Sequence, residues 1–191
     1  VVQADDKIIV GGGFSVLGGQ SRNSLARLNA NGTLDNTFAT AGVNAGGAVY
    51  CLALESMGKL VVGGQFDHLG GQIRNNVGRL NPDGTLDAGF NVNIAGGPDV
   101  RAIAIQPDGR MVLGGQFTSV NGQTRNCLAR VNADGTLDTG FNPNVVGINN
   151  ATFVLALALQ ADGRLLVGGF FMTIGGQPRA NLARLNPNGS V

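Results

Sequence analysis

One stretch of this chain, Met-Val-Leu-Gly-Gly-Gln-Phe at residues 111–117, ends in a Gly-Gly-x-Phe motif that occurs four times. The motif ends at Phe14, Phe66, Phe117 and Phe171, with spacings of 52, 51 and 54 residues. The arginines at Arg27, Arg79, Arg130 and Arg184 recur with the same three spacings. Two independent landmarks with one spacing establish an internal repeat, and a period of this length is typical of stacked or radially arranged units.

Around residues 111–117, short apolar runs alternate with turn signals. Asp108-Gly109 and Asp134-Gly135 each separate two apolar runs, and Asp-Gly in that context indicates a hairpin because glycine adopts positive φ without steric cost. A glycine-rich loop is expected at 121–126, and helical periodicity is absent. The strands predicted for this copy are 101–105, 111–117, 127–132 and, as a short strand or an ordered corner, 137–142.

Paired glycines interrupt the second predicted strand of every copy. They are Gly12-Gly13, Gly63-Gly64, Gly114-Gly115 and Gly168-Gly169. Glycine weakens a strand interior, so its recurrence predicts either a β-bulge or the close approach of another backbone. We expect the phenylalanine that follows to fill the core, and large apolar side chains of one copy to pack on alanine and glycine of the next.

These patterns predict an all-β fold, a β-propeller or propeller segment of about four blades, each a four-stranded antiparallel sheet. A single sheet of this kind cannot bury both faces alone, so neighbouring copies must cover it. A β-solenoid is the alternative. We expect one repeat domain over 1–191, as part of a longer array or larger assembly and with incomplete first and last copies, at about 1–47, 48–98, 99–151 and 152–191.

The composition limits the partners that the chain can bind. Only 13% of the 191 residues are charged and the net charge is +1, without a basic stripe, so nucleic acid is not an expected partner. No apolar run of about eighteen residues occurs, so no membrane insertion is expected. Cys51 and Cys127 occupy different repeat positions, which favours two separate thiols, with a disulfide as the alternative.

Residue types suited to catalysis are scarce. His68 is the only histidine, and Glu55 aligns with glutamines in the other copies. Aspartates recur in Thr-Leu-Asp at Asp35, Asp87 and Asp138, and a residue repeated in each blade favours a corner or an ion pair with arginine over catalysis. We therefore predict no catalytic residues, no cofactor and no metal site.

Calcium binding is one interpretation of the Asp-Gly turns, because their oxygen-bearing side chains are spaced loosely as in a calcium-binding loop. Asp83 and Asp134 hold the acidic position in two copies, but Asn31 and Asn188 replace them in the others. Asparagine and aspartate exchange freely where only a turn is required, so the turn is favoured.

A first arginine in each copy precedes the third strand, at Arg22, Arg74, Arg125 and Arg179. These arginines could form a rim that contacts acidic ligands, since guanidinium groups bind carboxylates and phosphates with two parallel hydrogen bonds. Alternatively, each arginine satisfies carbonyl groups of its own glycine-rich loop. Stacking on sugars has little support, because tryptophan is absent and only Phe153 and Phe170 lie outside the repeated core positions.

The ordered set of motifs resembles the delta-60 repeat, a bacterial family of unknown function whose members look like β-propellers. In the third copy the motifs are Asp108-Gly109-Arg110, Gly114 to Phe117, Gly122 to Asn126, Leu128 to Asn132 and Asp134 to Phe141. The resemblance implies a large exported bacterial protein with tandem repeats, and it implies no activity.

We therefore expect a non-enzymatic scaffold or interaction module on or outside a bacterial cell. Its variable connectors, at 39–49, 91–99 and 143–152, would contact a protein or cell-surface partner. One alternative is a structural subunit of an extracellular assembly. Another is a carbohydrate-active propeller enzyme, which would use the unrepeated carboxylates Asp67 and Asp99.

Overall fold

A computed structural model of the chain describes residues 1–39, 42–44, 46–147 and 152–191. Within these residues the regular structure consists only of β-strands, and all of the strand pairs are antiparallel. The described residues form no helix. No helix in this part of the chain has the length and apolar character needed to cross a membrane. The chain divides into two compact units, Val1–Asn91 and Val92–Val191.

The first unit contains nine described strands. They are β1 (Ile8–Gly11), β2 (Val16–Leu17), β3 (Gln20–Ser21), β4 (Leu25–Leu28), β5 (Ala48–Leu54), β6 (Leu60–Gln65), β7 (His68–Leu69), β8 (Gln72–Ile73) and β9 (Val77–Leu80). Strands β1 and β4 form a two-stranded sheet, and β5, β6 and β9 form a three-stranded one. Two short hairpins, β2–β3 and β7–β8, complete the unit.

The second unit repeats this arrangement with twelve described strands. They are β10 (Ile94–Ala95), β11 (Asp99–Ile105), β12 (Met111–Gln116), β13 (Ser119–Val120), β14 (Gln123–Thr124), β15 (Leu128–Val131), β16 (Val145–Val146), β17 (Phe153–Leu159), β18 (Leu165–Phe170), β19 (Thr173–Ile174), β20 (Gln177–Pro178) and β21 (Leu182–Leu185). The two large sheets have the orders β11-β12-β15 and β17-β18-β21, and two small sheets have the orders β10-β13-β14 and β16-β19-β20.

The predicted hairpin turns are present, but the fourth strand is reduced to one residue pair. Gly109 and Gly135 have φ of 81° and 89°, as the Asp-Gly turns require. After the second turn, Leu137 forms a single bridge to Val131, and the chain then turns as the Phe141 amide donates to the Asp138 carbonyl. The sheets β5-β6-β9 and β11-β12-β15 therefore have three strands each, with a one-residue bridge, Leu80–Leu86 and Val131–Leu137, in place of the fourth strand.

The glycine-rich loop expected at 121–126 is itself a short hairpin, β13–β14. Asn121 and Gly122 have φ of 49° and 76°, the two positive values of a type I′ turn, whose twist matches that of the flanking strands. Cys127, predicted inside the third strand, lies just before it with φ of 61°, and its equivalents Ser24, Asn76 and Asn181 also have positive φ. Cys51 and Cys127 are not joined in a disulfide, which confirms the favoured expectation of two separate thiols.

The connectors predicted to be variable loops are anchored to these small hairpins. In the connector 91–99, Val92 and Ile94 are buried while Asn91 and Asn93 are exposed. Strand β10 within it pairs with β13, and β16 in the connector 143–152 pairs with β19 in the same way. Each of these two connectors therefore contributes one face to the core and presents the other face to solvent. Residues 40, 41, 45 and 148–151 of the connectors lie outside the described residues.

In the second, third and fourth copies, the second glycine of the pair lies opposite a β-bulge in the first strand. The register between β11 and β12 shifts between Val100 and Ala102, and a Cβ on Gly115 would lie 2.3 Å from the Asp99 carbonyl oxygen. A Cβ on Gly64 or Gly169 would likewise lie 2.0 or 2.2 Å from the equivalent carbonyl oxygen of the first strand. Both predicted reasons for the glycines therefore hold at once, since the bulge brings a backbone too close for any side chain.

The first glycine of the pair makes room for the next copy at the described interface inside each unit. A Cβ on Gly114 would lie 2.6 Å from Cγ1 of Val154, and a Cβ on Gly11 would lie 2.5 Å from Cγ1 of Val49. The pair in the first copy is therefore Gly11-Gly12, and the prediction of Gly12-Gly13 was wrong by one residue. Large side chains of one copy pack on glycine of a neighbouring copy, as predicted, but that neighbour is the preceding copy and not the next one.

Each unit has its core between two consecutive large sheets. In the second unit one cluster joins Ala104, Val112 and Leu128 of the third copy to Val154 and Val167 of the fourth. The predicted core phenylalanines are buried at Phe66, Phe117 and Phe171 and half-buried at Phe14.

We predict that Gly115→Ala destabilises the chain by about 1–3 kcal/mol, because the new methyl group meets backbone atoms that cannot rotate away. Gly140→Ala is the matched control, since its φ is not positive and its Cβ would come no closer than 3.4 Å to Asp138 Oδ1. Urea unfolding measures both variants. Equal midpoints for the two would contradict the steric account of the second glycine.

Candidate functional site

The repeated second arginine and the Thr-Leu-Asp aspartate form an ion pair within each of three copies. Arginine Nε donates to the carboxylate at 2.9, 2.9 and 2.8 Å in Arg27–Asp35, Arg79–Asp87 and Arg130–Asp138. The guanidinium also lies over a phenylalanine ring, 4.6, 4.5 and 4.5 Å from the centroid, at Phe38, Phe90 and Phe141. The structural interpretation of these aspartates is confirmed, because charge and ring are engaged inside the copy.

A second cation lies beside the carboxylate of each pair, with Lys7 Nζ 3.1 Å from Asp35, Lys59 Nζ 2.8 Å from Asp87 and Arg110 Nη1 3.1 Å from Asp138. In two of the pairs, arginine Nη1 also donates to a turn carbonyl of the next copy, from Arg27 to Pro82 at 2.8 Å and from Arg130 to Pro187. These two ion pairs thus join consecutive copies within a unit.

The surroundings keep these carboxylates ionised. A hydrogen bond from the Lys59 ammonium, with a further one from Arg79, holds the pKa of Asp87 below its usual range despite partial burial. The pKa of Asp35 is lowered mainly by the Thr37 hydroxyl, which donates at 2.6 Å. For Asp138, burial opposes the shift, but hydrogen bonding and charge attraction from Arg130 lower the pKa overall.

The first arginine of each copy binds its own loop. Nη1 donates at 2.7–2.8 Å to the preceding residue's carbonyl in Arg22, Arg74, Arg125 and Arg179. Arg74 and Arg125 are buried, and Nη2 of each also faces a carbonyl, at 3.5 and 3.4 Å. This geometry matches the second of the two sequence alternatives. That these four arginines contact a ligand stays a prediction.

The other candidate residues have local partners. His68 Nδ1 lies 2.8 Å from Asp67 Oδ1 on an exposed hairpin. At the Asp134-Gly135 turn, one of the candidate calcium sites, Asp134 Oδ1 accepts hydrogen bonds from the Thr136 amide and hydroxyl at 2.9 and 2.7 Å. Within the part of the chain that the structure describes, no group of three or more His, Cys, Asp or Glu side chains could hold a metal ion.

A polar cleft recurs where consecutive copies meet inside each unit. In the second unit it has a volume of about 580 Å³ and is lined by Thr118, Asn126, Cys127 and Thr152, among others. The Cys127 thiol donates to the Thr152 carbonyl at 3.1 Å, and Ser24 donates likewise to Gly47 at 2.8 Å in the first unit. The Cys127 thiol and the Ser24 hydroxyl therefore link the backbones of consecutive stretches of the chain at this cleft.

The bulge places a different side chain on the surface in each copy, a feature that sequence reasoning missed. The bulge residues are Tyr50, Arg101 and Leu155. The strand pairs beside them also differ, being Ala48–Gln65, Asp99–Gln116 and Phe153–Phe170. Bulges redirect side chains and are frequent beside functional sites. The copies thus share a backbone while presenting unlike chemistry at this point.

In the second unit these residues form what we call the stacked patch: Asp99, Arg101, Phe153, Leu155 and Phe170. The buried Asp99 carboxylate accepts from Arg101 Nε at 2.9 Å and Nη2 at 2.8 Å. The guanidinium lies 5.0 Å from the centroid of Phe153, whose ring stacks on Phe170 at 5.6 Å and 27°. Phe170 and Leu155 remain 46% and 48% exposed.

The stacked patch combines a compensated ion pair with exposed apolar side chains. Asp99 compensates the charge of Arg101, so the patch offers an electrically neutral surface of aromatic and aliphatic groups. At the equivalent place in the first unit, Tyr50 is also half exposed, but its hydroxyl donates to Gln65 Oε1 at 3.0 Å. The two units therefore present different surfaces on the same frame.

Four stretches of the chain match a family model described as "Domain of unknown function (DUF5122) beta-propeller": residues 3–38, 58–90, 106–141 and 160–191. Together they cover well over half of the sequence. The chain belongs to this family. The match confirms the predicted β-propeller fold class and the implied repeat of unknown function. No curated protein matches the chain.

Two solved structures are similar to the chain, and the likeness of the first supports the same fold. The extracellular domain of a one component system from B. thetaiotaomicron has a TM-score of 0.52 at 12% identity, over 96% of this chain and 20% of that one. A protein of unknown function from Bacteroides caccae has a TM-score of 0.46 at 15% identity, over 96% of this chain and 55% of that one. The DUF5122 chain thus spans about a fifth and about half of these proteins.

We predict that Asp138→Asn destabilises the chain by about 3 kcal/mol, because it leaves the buried Arg130 guanidinium without its counter-charge. Asp134→Asn is the matched control and should leave the unfolding midpoint nearly unchanged, since an amide oxygen accepts the same two hydrogen bonds from Thr136. Chemical unfolding compares the variants. A loss in Asp134→Asn as large as that in Asp138→Asn would contradict the ion-pair role.

The lowered pKa values of Asp35, Asp87 and Asp138 predict acid sensitivity. A carboxylate whose pKa falls on folding stabilises the native state above its unfolded pKa, about 3.9, and that contribution disappears as pH falls through the folded value. The thermal midpoint should therefore decline below about pH 4. Asp87→Asn should show a shallower decline, and an acid limb as steep as that of the unmodified chain would refute this assignment.

Proposed function

We propose that this chain is a non-enzymatic interaction module. The repeated sheets are the scaffold, and the unrepeated side chains at the bulges, with the exposed faces of the connectors, contact a protein or cell-surface partner. The observation that carries the proposal is that one bulge recurs in three copies with three unlike residues, Tyr50, Arg101 and Leu155. A purely structural bulge has no need of different side chains.

The stacked patch supports the proposal through its exposure. Aromatic and large aliphatic side chains at a protein surface are characteristic of interface centres, where they supply most of the binding energy. Phe170 is held by its stack on Phe153, so little side-chain entropy is lost when a partner covers it. The neutral charge of the Asp99–Arg101 pair suits a partner with an apolar anchor.

The location of the module is part of the proposal. The delta-60 resemblance, which is finer than the DUF5122 assignment, implies an exported bacterial protein. One structural neighbour is described as an extracellular domain. Both points support a place on or outside a bacterial cell.

A random-peptide phage library panned on the immobilised chain tests the proposal. Enriched peptides should carry aromatic or aliphatic anchors, and Phe170→Ala or Leu155→Ala should weaken their binding at least tenfold, the effect of losing a hot-spot residue. The unfolding midpoint should change little, because both side chains are half exposed.

Met57→Ala is the matched control, since Met57 is an exposed apolar residue at an ordinary turn and should leave binding intact. A glycan array run in parallel addresses the carbohydrate alternative. Peptides that bind all three variants equally, or glycan binding abolished by Phe170→Ala, would overturn the peptide-binding role of the patch.

A further inference from the structure

The polar cleft of the second unit adjoins the stacked patch. Thr152, on one wall of the cleft, directly precedes Phe153 in the chain. Gln116, on another wall, is the cross-strand partner of Asp99, whose carboxylate accepts from the Gln116 backbone amide at 3.1 Å. The cleft and the patch are therefore parts of one continuous surface.

Every described residue that lines this cleft is uncharged. Phe117 and Val145 are buried and contribute apolar groups, whereas Gln116 and Thr118 contribute an amide and a hydroxyl. Among the described residues, neither of these two polar side chains has a hydrogen-bond partner. Burial raises the pKa of the Cys127 thiol, so the thiol also stays neutral. A charged ligand group would lose water here without meeting a counter-charge, whereas a neutral polar group can pair with the amide and the hydroxyl.

The corresponding cleft of the first unit lacks this combination. It is smaller, at about 320 Å³, and Gly13 occupies the position that Gln116 has in the second unit. Ala48 stands in the place of Phe153, so no aromatic stack lies beside it. Of these two clefts, the one in the second unit joins hydrogen-bonding side chains to exposed apolar ones.

We propose, building on the proposed function, that the cleft and the stacked patch together bind one short peptide segment. An aromatic or branched aliphatic anchor of the segment covers Phe170 and Leu155. An uncharged polar side chain of the same segment, from asparagine, glutamine, serine or threonine, enters the cleft and bonds to Gln116 and Thr118. The Phe153 ring lies between the two places, 5.6 Å from that of Phe170, so about three residues of extended peptide, at about 3.3 Å each, span them.

The surface favours a peptide over a sugar as the occupant. Sugars stack on open, flat aromatic faces, but one face of the Phe170 ring is already covered by Phe153. The patch also exposes the aliphatic Leu155, which suits an apolar side chain.

A reversal of charge preference tests the proposal. Peptides enriched on the unmodified chain should carry a neutral polar residue within three positions of the anchor. In two synthetic peptides that differ only there, asparagine against lysine, the unmodified chain should bind the asparagine peptide roughly tenfold more tightly in an anisotropy titration. Thr118→Asp places a carboxylate in the cleft and should make the lysine peptide the tighter one by a similar factor.

Thr139→Asp is the matched control, because it adds the same charge at an exposed residue outside the cleft and should leave the order of the two peptides unchanged. If Phe170→Ala weakens binding but Thr118→Asp leaves the preference unaltered, the patch binds alone and this inference fails while the proposed function stands. If Phe170→Ala leaves peptide binding intact, both fail. A reversal of equal size in Thr139→Asp, or a glycan that binds the unmodified chain and is lost in Thr118→Asp, would also overturn the inference.

Discussion

A valine of one copy occupies the space where the preceding copy has glycine, and the architecture of each unit depends on this contact. Val49 over Gly11 and Val154 over Gly114 bring consecutive sheets close enough to exclude water between them. The large apolar side chains around each contact then form one continuous core. Neither sheet of such a pair could bury its inner face alone, so folding of a copy depends on its neighbour.

The second glycine serves a different purpose at the adjacent position. It admits the carbonyl group of the bulged first strand, which approaches within 2.0–2.3 Å of the missing Cβ. The bulge then directs one side chain of the first strand out of the regular alternation between the two faces of the sheet. Two neighbouring glycines therefore connect the packing of the copies to the surface that each copy presents, and the framework can stay the same while the surface changes.

Electrostatics complement this packing without adding a reactive site. The Arg130 guanidinium is buried, and burying it without partners would cost free energy. The ion pair with Asp138, the contact with the Phe141 ring and the hydrogen bond to the next copy offset that cost. Every member has a partner, so the carboxylate is held ionised and hydrogen-bonded. The framework thus holds unrepeated side chains such as Leu155 and Phe170 at its surface.

The repeat, the Asp-Gly turns, the strands between them and the need for glycine were readable from sequence, because each is a local pattern that recurs with a fixed period. Only the tertiary structure decided which residues lie opposite each other across strands and which face the core. The sequence marked Phe153 and Phe170 as departures from the core positions, but their stacking follows from the pairing of β17 with β18. It also showed connectors of unlike composition, yet only the pairing of β10 with β13 revealed that Val92 and Ile94 face the core. Contacts between distant residues depend on cross-strand register, and the paired glycines, although they indicated a bulge, did not tell which residue of the first strand would lie in it.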